Sequence, residues 1–384
     1  MRVGINGTFW NMETTGSGQY LRRLLQALPA VADDIECRLF LPGRDAPAPL
    51  PRDAVSLGTP LDRLGDNLAK VWLEQVAFPR ACRTQGMDLA HVPYFAPPLS
   101  PTIPTVVTIH DIIPLILPEY RGNATVRGYM RLVSRAARNA HVILTDSHAS
   151  AGDISAYLGI PPHRVWVVHL AAGDEYRPVP AAAREETLRR LGLDVAPYLL
   201  YLGGFDVRKN VPLLLEAYAR CRERLGDVPL VIAGHLPEHD SAFAPDPRPV
   251  ARRLGIEDGV WYTGRVDEAD KPALYSGALA FVFPSRYEGF GLPVLEAISC
   301  GVPAVVADGS SLGEVAGPGG LVVPPDDVEA LAGALVRLAE EPDLRATLST
   351  RGLEHAARFS WEETARQTVA AYRDALAPQP RAIA

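Results

Sequence analysis

Short apolar runs alternate with longer stretches whose apolar residues recur at helical spacing, and this alternation continues along almost the whole chain. Met1-Arg2-Val3-Gly4-Ile5-Asn6, Thr105-Val106-Val107-Thr108-Ile109, Val142-Ile143-Leu144-Thr145 and Val165-Trp166-Val167-Val168 form the first series. Strands this uniformly apolar, separated by helices, predict a buried parallel sheet with right-handed crossovers. A stretch rich in Pro, Ala and charge interrupts the pattern at 177–197, with a short helical patch inside it. The alternation then resumes with Tyr198-Leu199-Leu200-Tyr201-Leu202, Pro229-Leu230-Val231-Ile232-Ala233, Ala280-Phe281-Val282-Phe283 and Pro303-Ala304-Val305-Val306. Helical patterns over 211–224 and 328–340 lie among them.

Two α/β domains follow from this pattern: residues 1–176, a connector at 177–197, and residues 198–359. Ser360, with Glu363 three positions on, matches a capping box, so a last helix is expected over 360–376, packing back toward the N-terminal domain. Residues 377–384 read as a loose tail. Length agrees with the two-domain reading, because 384 residues exceed what a single core usually holds. The hydrophobic share of 47% and charged share of 22% are those of an ordinary globular protein.

Charge and cysteines narrow the surroundings rather than the chemistry. A formal net charge of −7 gives no general attraction to nucleic acid, so any phosphate must be held locally. Cys37, Cys82, Cys221 and Cys300 are scattered, without the spacing of a metal knot, and read as reduced thiols of a cytoplasmic protein. The first residues read as a strand, not a signal peptide, and no apolar run approaches the ~20 residues that span a bilayer.

The densest chemistry follows the strand ending at Phe283: Ser285-Arg286-Tyr287-Glu288-Gly289-Phe290-Gly291-Leu292-Pro293-Val294-Leu295-Glu296. Open α/β sheets bind ligands at the carboxyl ends of their strands. Here Gly289 and Gly291 permit close backbone approach, and Pro293 suits a first helical turn. The N–H groups near Phe290, Gly291 and Leu292 are therefore expected to form an anion site at a helix N-terminus. Glu288 and Glu296 are expected to face separate parts of one ligand, as acceptors for hydroxyl groups, and not to form a glycosidase pair. A second such junction is Gly203-Gly204-Phe205-Asp206-Val207-Arg208-Lys209-Asn210. Arg208 offers a fork and Lys209 a compact charge, together suited to a leaving diphosphate.

These segments resemble the retaining glycosyltransferases of family 4, which have the GT-B fold. The resemblance implies two facing, Rossmann-like, doubly wound domains with the donor held in an interdomain cleft. It implies that Glu288 contacts donor-sugar hydroxyls, Glu296 the ribose, and Arg208 with Lys209 the diphosphate. Backbone at Gly264, Arg265 and Val266 would border the nucleobase. Many family members carry Arg directly after the first glycine of the Gly203 loop, where this chain has Gly204, and Arg208 would supply that charge instead. The Arg-Lys-Asn pattern resembles the mannosyltransferase-like branch, which makes GDP-mannose the preferred donor.

Four N-terminal features complete the expected site. Gly16-Ser17-Gly18 opens a helix and can lie against a diphosphate or an acceptor, although it is a poor dinucleotide fingerprint because Leu21 stands where a third glycine belongs. His110 and Asp111 end the strand Val106–Ile109, with His110 expected to assist at the reacting centre and Asp111 on the acceptor side. Ser147 follows another strand and is either an acceptor contact or a helix cap. Arg127, Arg131, Arg135 and Arg138 give one helix a basic face, which either is simply solvated or meets a phosphate-bearing or lipid-linked acceptor. No D-x-D occurs, which removes the usual carboxylate platform for a divalent metal, so no metal is expected; the nucleotide sugar is a substrate, and no cofactor is expected. The expected activity is transfer of a hexose, with mannose preferred, from a nucleoside-diphosphate sugar to a glycan or lipid-linked hydroxyl. Peripheral contact with the inner membrane surface is compatible with this. A sugar-nucleotide epimerase and a non-catalytic sugar-nucleotide sensor are the alternatives.

Overall fold

The computed structural model describes residues 1–12, 15–43, 53–61, 65–193 and 197–377. The chain divides into two compact units, Met1–Leu170 with Ser360–Ala384, and Ala171–Phe359. The first is built on β1 (Arg2–Asn6), β2 (Glu36–Pro42), β3 (Ala54–Leu57), β4 (Leu89–Val92), β5 (Thr105–Thr108), β6 (Val142–Thr145) and β7 (Val165–Val167). These make a seven-stranded sheet in the order β3-β2-β1-β4-β5-β6-β7. The second unit carries β8 (Tyr198–Leu202), β9 (Leu230–Ala233), β10 (Val260–Gly264), β11 (Ala278–Phe283), β12 (Ala304–Ala307) and β13 (Gly320–Val323). They form a six-stranded sheet in the order β10-β9-β8-β11-β12-β13.

Every described strand pair in both sheets is parallel. The strand order reverses direction between β1 and β4 in one sheet and between β8 and β11 in the other. Crossover helices leave on opposite faces at such a point, which opens a crevice beyond the carboxyl ends. All five residues of β8 are buried, and Tyr201 stacks on Phe283 of the neighbouring β11 at 6.0 Å between ring centres. The two loops that carry the expected chemistry therefore leave adjacent, rigid strands.

Boundaries differ in detail from the sequence pattern. The division falls at Leu170/Ala171, and the stretch expected as a connector contains a helix, Ala181–Arg190, that belongs to the second unit. Arg184 Nη1 donates to the Ser276 carbonyl at 3.2 Å, which ties this helix to the helix Lys271–Gly277. The helix Trp361–Leu376 groups with the first unit, where the hydroxyl of Tyr372 lies 2.8 Å from Nδ1 of His91 on β4. Its capping box is half made. Ser360 Oγ accepts the Glu363 N–H at 3.1 Å, but the Glu363 carboxylate engages Gln367 and Arg366 on its own helix. The tail expected from residue 377 lies, from residue 378 onward, outside the described residues.

Candidate active site

Beyond β8, Gly203 and Gly204 lead into a short helical turn, Val207–Lys209, and Asn210 adopts a left-handed backbone with φ 57° before the helix Val211–Leu225 begins. The Arg208-Lys209 pair thus sits on the turn, one residue before the helix and not on it. Beyond β11, the Glu288 loop ends at Gly291, whose φ of 101° suits glycine. A Cβ there would stand 2.6 Å from Leu312 Cδ2. The helix Leu292–Ser299 starts directly afterwards, with no side chain capping it.

The two loops are joined at several points. The Arg286 N–H donates to the Arg208 carbonyl at 2.8 Å, and Arg208 Nη1 donates to the Tyr287 carbonyl at 3.1 Å. Arg208 Nη1 and Lys209 Nζ both lie 2.6 Å from the same oxygen, Oε1 of Glu288. Arg208 Nε is 3.1 Å from Asp206, and Lys209 also lies 4.8 Å from the centre of the Phe283 ring. Burial alone would push the Glu288 carboxyl up, but Lys209 and Arg208 together hold it below the ordinary range. Glu288 is 9% exposed. Removing both cations would leave this carboxylate buried without a counter-ion, at a cost of about 3–5 kcal/mol.

Glu296 has different neighbours. It is 6% exposed and accepts the Tyr275 hydroxyl at 2.8 Å. Burial pushes its carboxyl up to about 7, against the opposing pull of Lys271 and Tyr275. The motif's two glutamates are therefore set differently, one ionised by cations and one near the midpoint of its titration at neutral pH. Gly264, with φ 67°, ends the edge strand β10, and its carbonyl accepts the Gly234 N–H at 2.9 Å. Arg265 is exposed and Val266 buried.

In the first unit, Gly16-Ser17-Gly18 forms the first turn of the helix Gly16–Val31, capped by Thr15, whose side chain accepts the Gly18 N–H at 3.2 Å. A Cβ on Gly18 would fall 2.0 Å from the Met12 carbonyl oxygen, so this glycine fixes how the turn folds over the loop after β1. His110 follows β5, and its Nδ1 lies 2.7 Å from Oδ2 of Asp146 at the end of the neighbouring β6. Asp111 accepts the Ile113 N–H at 3.0 Å, and Ser147 caps the helix His148–Leu158 by accepting the Ser150 N–H at 3.1 Å. Both therefore have a local structural task. Arg127 and Arg131 stand apart from these groups. With Arg121, Arg135, Arg138 and Met130 they line a cavity of about 540 Å³ on the helix Ala124–Ala137.

Several residues at these edges were not visible as candidates in the sequence. Ser311, fully buried, directs its hydroxyl to the carbonyls of Glu288 and Phe290 at 2.9 and 2.7 Å and so fixes the loop. Asp326 accepts from Arg286 Nε at 2.7 Å and Asn210 Nδ2 at 3.1 Å, while its neighbour Asp327 caps the helix Val328–Glu340. Tyr275 and Asp146 complete the set. Each lies far in sequence from the group it holds, and the fold brings them together.

Comparison with known proteins fits this geometry. Residues 14–172 match the model of Glycosyltransferase Family 4, and residues 184–355 that of Glycosyl transferases group 1. The O-antigen chain mannosyltransferase B of Escherichia coli is 36% identical over 269 residues, covering 70% of each chain. This chain belongs to glycosyltransferase family 4.

A second family relative, the MMP alpha-(1->4)-mannosyltransferase of Mycolicibacterium hassiacum, is 34% identical over 256 residues, which are 65% of this chain and 58% of the relative. Solved structures agree in fold. Sucrose-phosphate synthase from Thermosynechococcus elongatus superposes with a TM-score of 0.73 at 21% identity, over 97% of this chain and 98% of that one. The Anabaena protein HepE in complex with UDP-glucose gives 0.74 at 19%, over 97% and 99%. The architecture is GT-B, and the family 4 protein is a glycosyltransferase with mannosyltransferase relatives.

Proposed function

We propose that this enzyme transfers a hexose, mannose by preference, from a nucleoside-diphosphate sugar to a hydroxyl of a glycan or lipid-linked acceptor, with retention at the anomeric carbon and without a bound metal ion. The observation that carries the reading is the convergence of Arg208 and Lys209 on one oxygen of Glu288 at the β8/β11 switch point. An incoming diphosphate offers both cations new oxygens and releases Glu288 to accept from sugar hydroxyls. The anion already present marks the strength of the positive field.

Chemically, the C1–O bond to the leaving phosphate breaks as the acceptor oxygen bonds C1 on the same face. The acceptor proton passes to the departing phosphate oxygen. Arg208 and Lys209 stabilise the charge that develops there, which is where preorganised electrostatics contributes most. These cations do the work that a divalent ion would otherwise do. Glu296, with Tyr275 behind it, is suited to ribose hydroxyls, and the glycine at 264 to the base. GDP-mannose is favoured because the relatives' names include mannosyltransferases, whereas a structural neighbour holds UDP-glucose.

For the acceptor, the arginine-lined cavity and the relative named for O-antigen chains support a phosphate-bearing, lipid-linked glycan met at a membrane surface. No helix among the described residues is long and apolar enough to cross a membrane, so such contact would be peripheral. The test is a thermal-shift panel of nucleotide sugars followed by product analysis. GDP-mannose should stabilise the folded protein most by mass action, and the product should keep the α configuration after exhaustive chelation. Isomerised donor without transfer would establish an epimerase instead, and binding without turnover a sensor.

A further inference from the structure

We propose that Asp146 keeps His110 in its imidazolium form, so that the first unit presents a positively charged, part-exposed ring just beyond β5. This deepens the proposed function by giving His110 a charge and Asp146 the part of a positioning residue. β5 and β6 pair in parallel, with Thr108 opposite Leu144, and this register sets the residues just beyond the strands side by side. Asp146 is 2% exposed, and its Oδ2 lies 2.7 Å from Nδ1 of His110. No Lys or Arg among the described residues pairs with Asp146, so His110 is its only described cationic partner.

An ionised carboxylate only accepts hydrogen bonds, so Nδ1 must carry a proton. In a neutral ring Nε2 would then hold a lone pair. Against that form stands Asp146, a buried carboxylate with no other described cation to balance it, and the Pro93 backbone beside the ring adds to the preference for charge. Burial works against the charged ring, but the charges of Asp146 and Asp111 outweigh it, and the pKa of His110 is raised. The other elements packed around it add no competing charge. Tyr20, on the helix Gly16–Val31, meets the ring edge-on at 4.9 Å, and burial keeps its hydroxyl protonated. His91, on β4, is fully buried and pushed down to about 3, so it stays neutral.

The attraction of a charged ring strengthens as negative charge grows on a substrate oxygen, whereas that of a neutral ring strengthens less. Asp146 touches no substrate in this scheme and acts through the ring.

The deciding experiment is ¹⁵N NMR of histidine-labelled full-length enzyme, titrated from pH 5 to 9. The His110 nitrogens should both show imidazolium shifts at pH 7, with a titration midpoint above the ordinary ~6.5. A neutral-ring pattern at pH 7 would overturn the proposal. In Asp146→Asn the midpoint should fall by at least tenfold in proton affinity, and kcat at pH 8 should drop at least tenfold with the acceptor KM unchanged. The alkaline limb of the kcat profile should move to lower pH, and Asp146→Glu should partly restore it. A uniform loss across pH, with the limb unmoved, would make Asp146 merely structural and contradict the assignment. If Asp146→Asn does not fold, the wild-type titration decides alone. Imidazolium shifts in a protein that transfers no sugar would refute the proposed function and leave this inference standing.

Discussion

The carboxyl edges of the two sheets are built on different electrostatic plans. At the second sheet, two cations crowd one carboxylate, with Arg208 and Lys209 both 2.6 Å from Glu288 Oε1. At the first, a single histidine meets a single buried aspartate, with uncharged Tyr20, Thr108 and His91 beneath them. An edge whose cations already hold an anion can exchange it for phosphate. The edge with a balanced histidine–aspartate pair cannot hold a diphosphate by itself, and suits one hydroxyl or one developing charge. The division of labour proposed here follows from that difference.

The largest expected effect comes from weakening the cationic edge without stranding its carboxylate. Lys209→Gln leaves Arg208 on Glu288, and steady-state kinetics should give a kcat lower by about 10²–10³-fold, near ~2.7–4 kcal/mol of lost stabilisation. Melting temperature should move little. Replacing both Arg208 and Lys209 by alanine is a poorer probe, because an unpaired Glu288 would also lower stability. Turnover within twofold of wild type would break the comparison at its stronger side.

Next in size is the contrast between the two glutamates. Glu288→Gln should impair use of the whole donor while leaving affinity for free nucleoside diphosphate nearly intact, and Glu296→Gln should weaken that affinity about tenfold. Glu296 is pushed from an ordinary 4.5 up to about 7, so its ionised fraction rises through neutral pH. Nucleotide affinity in wild type should therefore rise from pH 6 to 8 more steeply than in Glu296→Gln. Identical slopes by calorimetry would remove the carboxylate from nucleotide recognition.

The smallest effect lies away from both edges. Glu74, fully buried and hydrogen-bonded by Tyr94 and Tyr129, is raised by burial from 4.5 to about 7. Between those values the folded state keeps a proton that the unfolded state has lost, so the contribution of Glu74 to stability falls as pH rises across that window. Glu74→Gln should then raise the melting temperature by about 2–4 °C at pH 8, the shift expected for ~1 kcal/mol, and leave it unchanged at pH 4.5. An equal change at both pH values would show that the glutamine repacks the core and does not report titration.

Where the sequence was legible, the signal was local. The Glu288-to-Glu296 segment and the Arg208-Lys209 pair could be placed because each is contiguous and follows an apolar run that can only be a buried strand. Three N-terminal strands were not singled out. β2 mixes Cys37 and Arg38 with apolar residues, and the short β3 and β4 are interrupted by Ser56 and His91. The support of the site was equally hidden. Ser311, Asp326, Tyr275 and Asp146 are ordinary residues in ordinary contexts, and their partners lie 21 or more residues away, on other elements or loops. The basic helix illustrates the converse: its arginine spacing was legible, but not that Pro114 and Leu115 join the arginines around one cavity.

The account rests on the second sheet's edge holding the diphosphate and the first edge leaving it alone. Isothermal titration of GDP into wild type, Lys209→Gln and His110→Gln, at low and high salt, measures this directly. The account predicts at least a tenfold weaker Kd in Lys209→Gln with a reduced salt dependence, and a wild-type Kd in His110→Gln. Equal losses in both variants, or a loss in His110→Gln alone, would contradict it.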